Sequence, residues 1–92
     1  MGILFEWNEK KAAKNRLKHG VSFEEASTAF GDPLSITIED PLHSEDENRL
    51  VLIGKSEWFN TLVVVHIEKK DTIRIISARK AGKKEARAYE EQ

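Results

Sequence analysis

The chain has no cysteine, so neither a disulfide framework nor a thiolate metal site is open to it, which suits a reducing compartment. It has only two prolines and five glycines, and no repeat or low-complexity stretch at which it could be divided. Long apolar runs are missing too. A run such as Leu62 to Val65 is far short of a membrane span, and "MGILFEWNEKK" has too few consecutive apolar residues for a signal peptide. These absences predict one small cytoplasmic domain over residues 1–92, with 39% hydrophobic residues to build a single core.

An excess of one charge is also missing from the total, which is −1, but not from its parts. Residues 1–68 carry seven Lys/Arg against twelve Asp/Glu, a net of −5. Residues 69–88 carry eight against two, a net of +6, and the last four residues add −2. A basic stripe on a near-neutral protein still attracts a polyanion, because the field depends on where the charges sit.

The pattern of residues orders the elements. "ILFEW" (3–7) reads as a first strand. Asn8 is placed to cap a helix over Glu9 to His19, which Gly20 ends in the left-handed conformation. Ser22 and Glu25 have capping-box spacing, with Val21 and Ala26 placed for the hydrophobic staple. Phe23, Ala26 and Phe30 share one face of that second helix, and "GDP" (31–33) stops it. β-branched alternation then predicts strands over 34–39, 49–55, 61–68 and 72–78, with "DPLHSEDEN" (40–48) as a loop. His43, Asp40, Glu45 and Asp46 have no recognised ligand spacing there, so neither a metal site nor a cofactor is expected. A last helix runs from an N-cap at Gly82 to Glu90. The order β-α-α-β-β-β-β-α predicts an α+β fold, two N-terminal helices packed on an antiparallel sheet of four to five strands.

Strands 61–68 and 72–78 are too close in sequence to be anything but a hairpin. A three-residue loop, Lys69–Asp71, would pair Ile67 with Ile73, Val65 with Ile75 and Val63 with Ser77. A two-residue loop would instead put Arg74 beside Val65, so the three-residue register is preferred because it keeps the charge of Arg74 off the apolar face. It leaves His66 across from Arg74 on the less buried face, with Arg79 at the strand's end.

Two stretches, "KHGVSFEEA" (18–26) and "RIISARKA" continuing to "EARAYE" (74–90), resemble the BrnT toxins of bacterial type II toxin–antitoxin pairs. The similarity runs from Phe5 to Glu91, with Gly82 standing where Thr or Ser is expected in many relatives. The resemblance implies a RelE-like fold and a metal-independent endoribonuclease that cleaves RNA and inhibits translation. It also implies a cognate antitoxin, a ribbon-helix-helix DNA-binding protein through which alone operator DNA is bound.

By that resemblance Arg74 and Arg79 act on the scissile phosphate, His66 is acid or base, and Tyr89 positions or stacks the substrate. Attack of a 2′-OH on the adjacent phosphate needs charge stabilisation, which arginine supplies, and proton transfer, for which histidine is suited. Lys80, Lys83, Lys84 and Arg87 are expected to bind RNA. The bland alternatives are a hydrogen-bonded strand histidine for His66 and an ion pair to Glu85 or Glu90 for Arg79. At the level of the whole chain, the alternative is a non-catalytic module that binds RNA or the antitoxin. His19 reads as structural, Phe5 and Trp7 as core. Trp58 and Phe59 form an exposed aromatic pair in a turn, placed to stack on a base or meet a partner.

Overall fold

A computed structural model describes residues 2–40 and 48–92, so most of the expected loop, including His43, lies outside the described residues. The elements are β1 (Leu4–Glu6), α1 (Glu9–His19), α2 (Phe23–Thr28) with a 3-10 turn at Ala29–Gly31, β2 (Ile36–Glu39), β3 (Arg49–Lys55), β4 (Thr61–Glu68), β5 (Thr72–Lys80) and α3 (Lys83–Glu90).

The helix ends follow their caps. The Asn8 side chain accepts from Lys11 N–H at 3.0 Å, and Gly20, at φ 71°, donates to the Arg16 carbonyl at 2.8 Å. Ser22 accepts from Glu25 N–H at 3.0 Å. The Glu25 carboxylate serves a different purpose, accepting from Ser56 Oγ at 2.8 Å and Asn60 Nδ2 at 2.7 Å. It thereby ties α2 to the β3–β4 turn.

The sheet has five strands in the order β1-β5-β4-β3-β2. It is mixed rather than antiparallel, because β1 pairs parallel with β5, Glu6 beside Arg74. The first strand therefore sits next to the last. That neighbour also corrects the hairpin. The turn closes on Lys70 and Asp71, with Lys69 N–H donating to the Thr72 carbonyl at 2.8 Å, so Ile67 faces Arg74 and His66 faces Ile75. A bulge at Ile76 shifts the register, pairing Val65 with Ser77 and Val64 with Ala78. The charge of Arg74 is not set against bare apolar surface, because Glu6 of β1 meets it from the other side. An isolated hairpin contains no trace of that third strand.

The turn sets which face of β4 is buried, and the bulge brings Ala78 of β5 to that same face. Ile73, Ile75 and Ala78 of β5 share a face with Leu62, Val64 and His66 of β4, and helices α1 and α2 roof it with Val21, Phe23 and Ala26. Phe30 packs against this cluster, as do Phe5 and Trp7, tilted on Phe30 and edge-on to Phe23 at 5.3 and 5.9 Å. The 3-10 turn crosses β3 so closely that a Cβ at Gly54 would stand 3.0 Å from the Ala29 carbonyl oxygen.

Asn15 closes the roof. β1 pairs with residues 72–74, and among the described residues no strand lies along the outer edge of β5 beyond Arg74. There the buried Asn15 amide accepts from Ala78 N–H at 3.1 Å and donates to the Ala78 carbonyl at 2.8 Å and the Val21 carbonyl at 3.1 Å. One side chain replaces a missing strand and locks the segment that leads into Arg79.

Candidate nucleic-acid interface

Alternation away from the roofed face puts Arg74 and Arg79 on the opposite side of the sheet, beside Ile67 and Val63. At its C-terminal end β5 passes through Ala81, whose N–H donates to the Thr61 carbonyl at 2.9 Å, and enters α3. Gly82 is the N-cap, and Glu85 Oε1 accepts its N–H at 2.7 Å. The same carboxylate takes the Arg79 fork, at 2.8 Å from one nitrogen and 2.5 Å from the other. The pair is bidentate, the stronger geometry for arginine and carboxylate. These hydrogen bonds raise the Arg79 guanidinium further above its ordinary range and hold the Glu85 carboxyl below its own. The expected alternative, an ion pair to Glu85, is what Arg79 makes.

Arg74 is arranged similarly, donating to Glu6 Oε2 at 3.1 Å, with Lys69 on the same oxygen at 3.4 Å. The Arg74 hydrogen bond is the main reason the Glu6 carboxyl lies below its ordinary range. Each arginine uses part of its five N–H donors on a carboxylate, so each is oriented with donors left over.

His66 is elsewhere. It is fully buried on the helix-covered face, edge-on to Phe30 with ring centres 4.7 Å apart. Its Nδ1 lies 3.3 Å from the Val64 carbonyl and its Nε2 3.2 Å from Glu68 Oε2. It does not stand across from Arg74, and the sheet itself separates the two.

Tyr89 is also buried, near the C-terminal end of α3. Its hydroxyl donates to Asp32 Oδ2 at 2.5 Å, and Lys55 Nζ lies 5.9 Å from the ring centre. The bond to Asp32, with burial adding to it, pushes the phenol up to about 12. Burial alone would raise the Asp32 carboxyl, but the hydrogen bonds from Tyr89, Lys55 N–H and Leu34 N–H outweigh it and the group is lowered. Tyr89 is thus the anchor that holds α3 against the residue that ends the 3-10 turn and, through it, the end of β3. Asp32, read from sequence only as part of a helix stop, is the missing half of that anchor. The Asp-Pro turn was the visible signal, and it says nothing about a partner 57 residues on.

The four remaining basic residues of the candidate site, Lys80, Lys83, Lys84 and Arg87, are all exposed. Among the described residues, no group of three or more His, Asp or Glu side chains is placed to hold a metal ion, and no helix is long and apolar enough to cross a membrane.

The molecule is therefore an α+β domain whose mixed sheet is roofed on one side and presents paired arginines, next to a basic helix, on the other. Residues 7–85 match the family described as ribonuclease toxin, BrnT, of type II toxin–antitoxin systems, and the chain belongs to that family. Membership implies a cognate antitoxin as partner. The crystal structure of the Brucella abortus ribonuclease toxin BrnT is similar in fold, with a TM-score of 0.66 at 22% sequence identity, over 90% of this chain and 99% of that one. No curated protein matches the chain.

Proposed function

We propose that the chain acts as a single RelE-like cytoplasmic domain over 1–92, a metal-independent endoribonuclease that inhibits translation until a ribbon-helix-helix antitoxin covers it. The observation that carries this reading is the open face. Arg74 and Arg79 are presented there by the sheet, each pre-oriented by a carboxylate, and Arg79 is tied through Glu85 to α3, which carries the exposed Lys83, Lys84 and Arg87. In the reaction the 2′-oxygen bonds to phosphorus and the bond to the 5′-oxygen breaks, with a proton leaving the former and one reaching the latter. Arginine N–H groups directed at the phosphate stabilise the added charge. Tyr89 serves by position, holding α3 and so the Glu85 that aims Arg79. His66 takes no part, because a general acid or base must come within hydrogen-bond reach of its proton and this ring has no exposed surface.

The test is induction of the chain alone in bacteria, with purified protein assayed on RNA in the presence of a chelator. Growth arrest and cleavage are expected. Arg79→Ala should lower cleavage by about 10²–10³-fold while the protein stays folded, since Tyr89 still anchors α3. A fully toxic Arg79→Ala protein would remove this residue from the mechanism. A folded, non-toxic parent chain favours the non-catalytic module, a reading supported by the fact that both arginines are already engaged by the protein's own carboxylates.

A further inference from the structure

The β3–β4 turn carries a strained aromatic display that nothing above uses. Trp58 and Phe59 are 61% and 83% exposed, where aromatic side chains ordinarily seek cover. Phe59 also has φ 65°, a left-handed conformation that is an outlier for a bulky residue. Such a conformation persists only when its surroundings over-determine it. They do so here. The buried Ser56 accepts through its carbonyl from Phe59 N–H at 2.9 Å and through Oγ from Trp58 N–H at 3.2 Å and Asn60 N–H at 3.3 Å, while Glu25 holds Ser56 and Asn60 from the helix layer.

The display stands at the basic end of the molecule. Leu62 pairs with Lys80, and Thr61 bonds Ala81, so the turn leaves the sheet beside Gly82 and Lys83. Phe59 lines an open groove of about 900 Å³ together with Phe30, Tyr89, Lys55, Asp32 and Glu57. Exposed aromatic rings next to a track of cations are what a flexible single strand requires: phosphates follow the charges, and unpaired bases stack on the rings. A phosphate backbone brings one negative charge per nucleotide to such a track, whereas a protein partner would need carboxylates placed to match it.

We propose that Trp58 and Phe59 stack unpaired bases of a single-stranded RNA whose phosphates run along Lys80, Lys83 and Lys84. This rests on the ribonuclease reading and adds to it a base-holding element at the end of the sheet where β5 passes into the basic helix. It makes the enzyme selective for unpaired RNA, since paired bases have no free ring face.

The probes are a single-stranded 2′-O-methyl RNA, which lacks the attacking hydroxyl, and an oligomer of equal length and charge with abasic positions. The aromatic variant is Trp58→Ala with Phe59→Gly, because glycine adopts positive φ freely and the fold keeps its melting temperature. This variant should bind the base-bearing probe roughly tenfold more weakly than the parent, and the abasic probe equally well. Lys83→Gln with Lys84→Gln should weaken both probes and flatten the salt dependence. In the parent, the base-bearing probe should quench a tryptophan emission that Trp58→Phe removes. If the lysine variant loses binding and the aromatic variant does not, stacking is overturned and the ribonuclease reading stands. If the parent binds neither probe, the ribonuclease reading itself falls. An aromatic variant that retains RNA affinity and toxicity, but escapes neutralisation by the cognate antitoxin, would also overturn the proposal by making the turn a protein contact.

Discussion

The two faces of the sheet are built from the same strands and put to opposite uses. On one face Leu62, Val64, His66, Ile73 and Ile75 lie under the helices with at most 6% exposure. On the other, Arg74 and Arg79 are partly open to solvent and held by carboxylates. The difference teaches that residue type is a poor guide to role when one residue of register exchanges the faces. The histidine, suited by its chemistry to catalysis, belongs to the structural face. The arginines are distributed between holding a helix and offering donors.

The largest expected effect lies on the roofed face. Ile75→Ala should cost roughly 2–5 kcal/mol, because it opens a cavity at a residue only 2% exposed. In a domain this small each kcal/mol moves the melting temperature by roughly 4–8 °C, so calorimetry should record a drop of about 10 °C or more. Arg74→Ala, on the open face, should melt close to the parent, since a half-exposed ion pair contributes little. Equal melting of these two variants would break the contrast between the faces.

Asn15→Ala comes next. It leaves the buried Ala78 and Val21 backbone groups without the partners the side chain supplied, at a cost of about 1–3 kcal/mol for an unsatisfied group. Amide exchange at Ala78 should accelerate sharply. Unchanged protection there would show that the outer edge of β5 has another cover.

The smallest effect sharpens the comparison at α3. The chain has a single tyrosine, so phenolate absorbance reports Tyr89 alone. Its folded value of about 12 lies above the ordinary 10. The stability it contributes is therefore complete below pH 10 and is lost as the pH rises toward 12. Asp32 and Glu85 have the opposite sign. Their lowered values contribute stability that is present above their ordinary 3.8 and 4.5 and disappears as acid protonates them. Asp32→Asn should bring the tyrosine titration back toward 10. A phenolate appearing near 10 in the parent would refute the anchor.

What the sequence by itself determined was local. Helix α1, the Ser22 cap, strands β3 and β4, the Gly82 cap and the α+β order follow from caps, breakers and side-chain period, interactions that span a few residues. The exposed aromatic turn and the possible Arg79–Glu85 pair were also legible, being six residues or fewer across. Tertiary structure alone decided that β1 lies parallel beside β5, that the hairpin turns on two residues and carries a bulge, and that His66 is buried away from Arg74. It alone brought Asn15 to Ala78 and Tyr89 to Asp32, contacts across 63 and 57 residues. The physical reason is that a strand's alternation determines two faces but not which one is covered. That choice depends on the total burial available to the whole chain; a turn one residue shorter reversed it on β4, and the bulge at Ile76 kept Ala78 of β5 on the covered side.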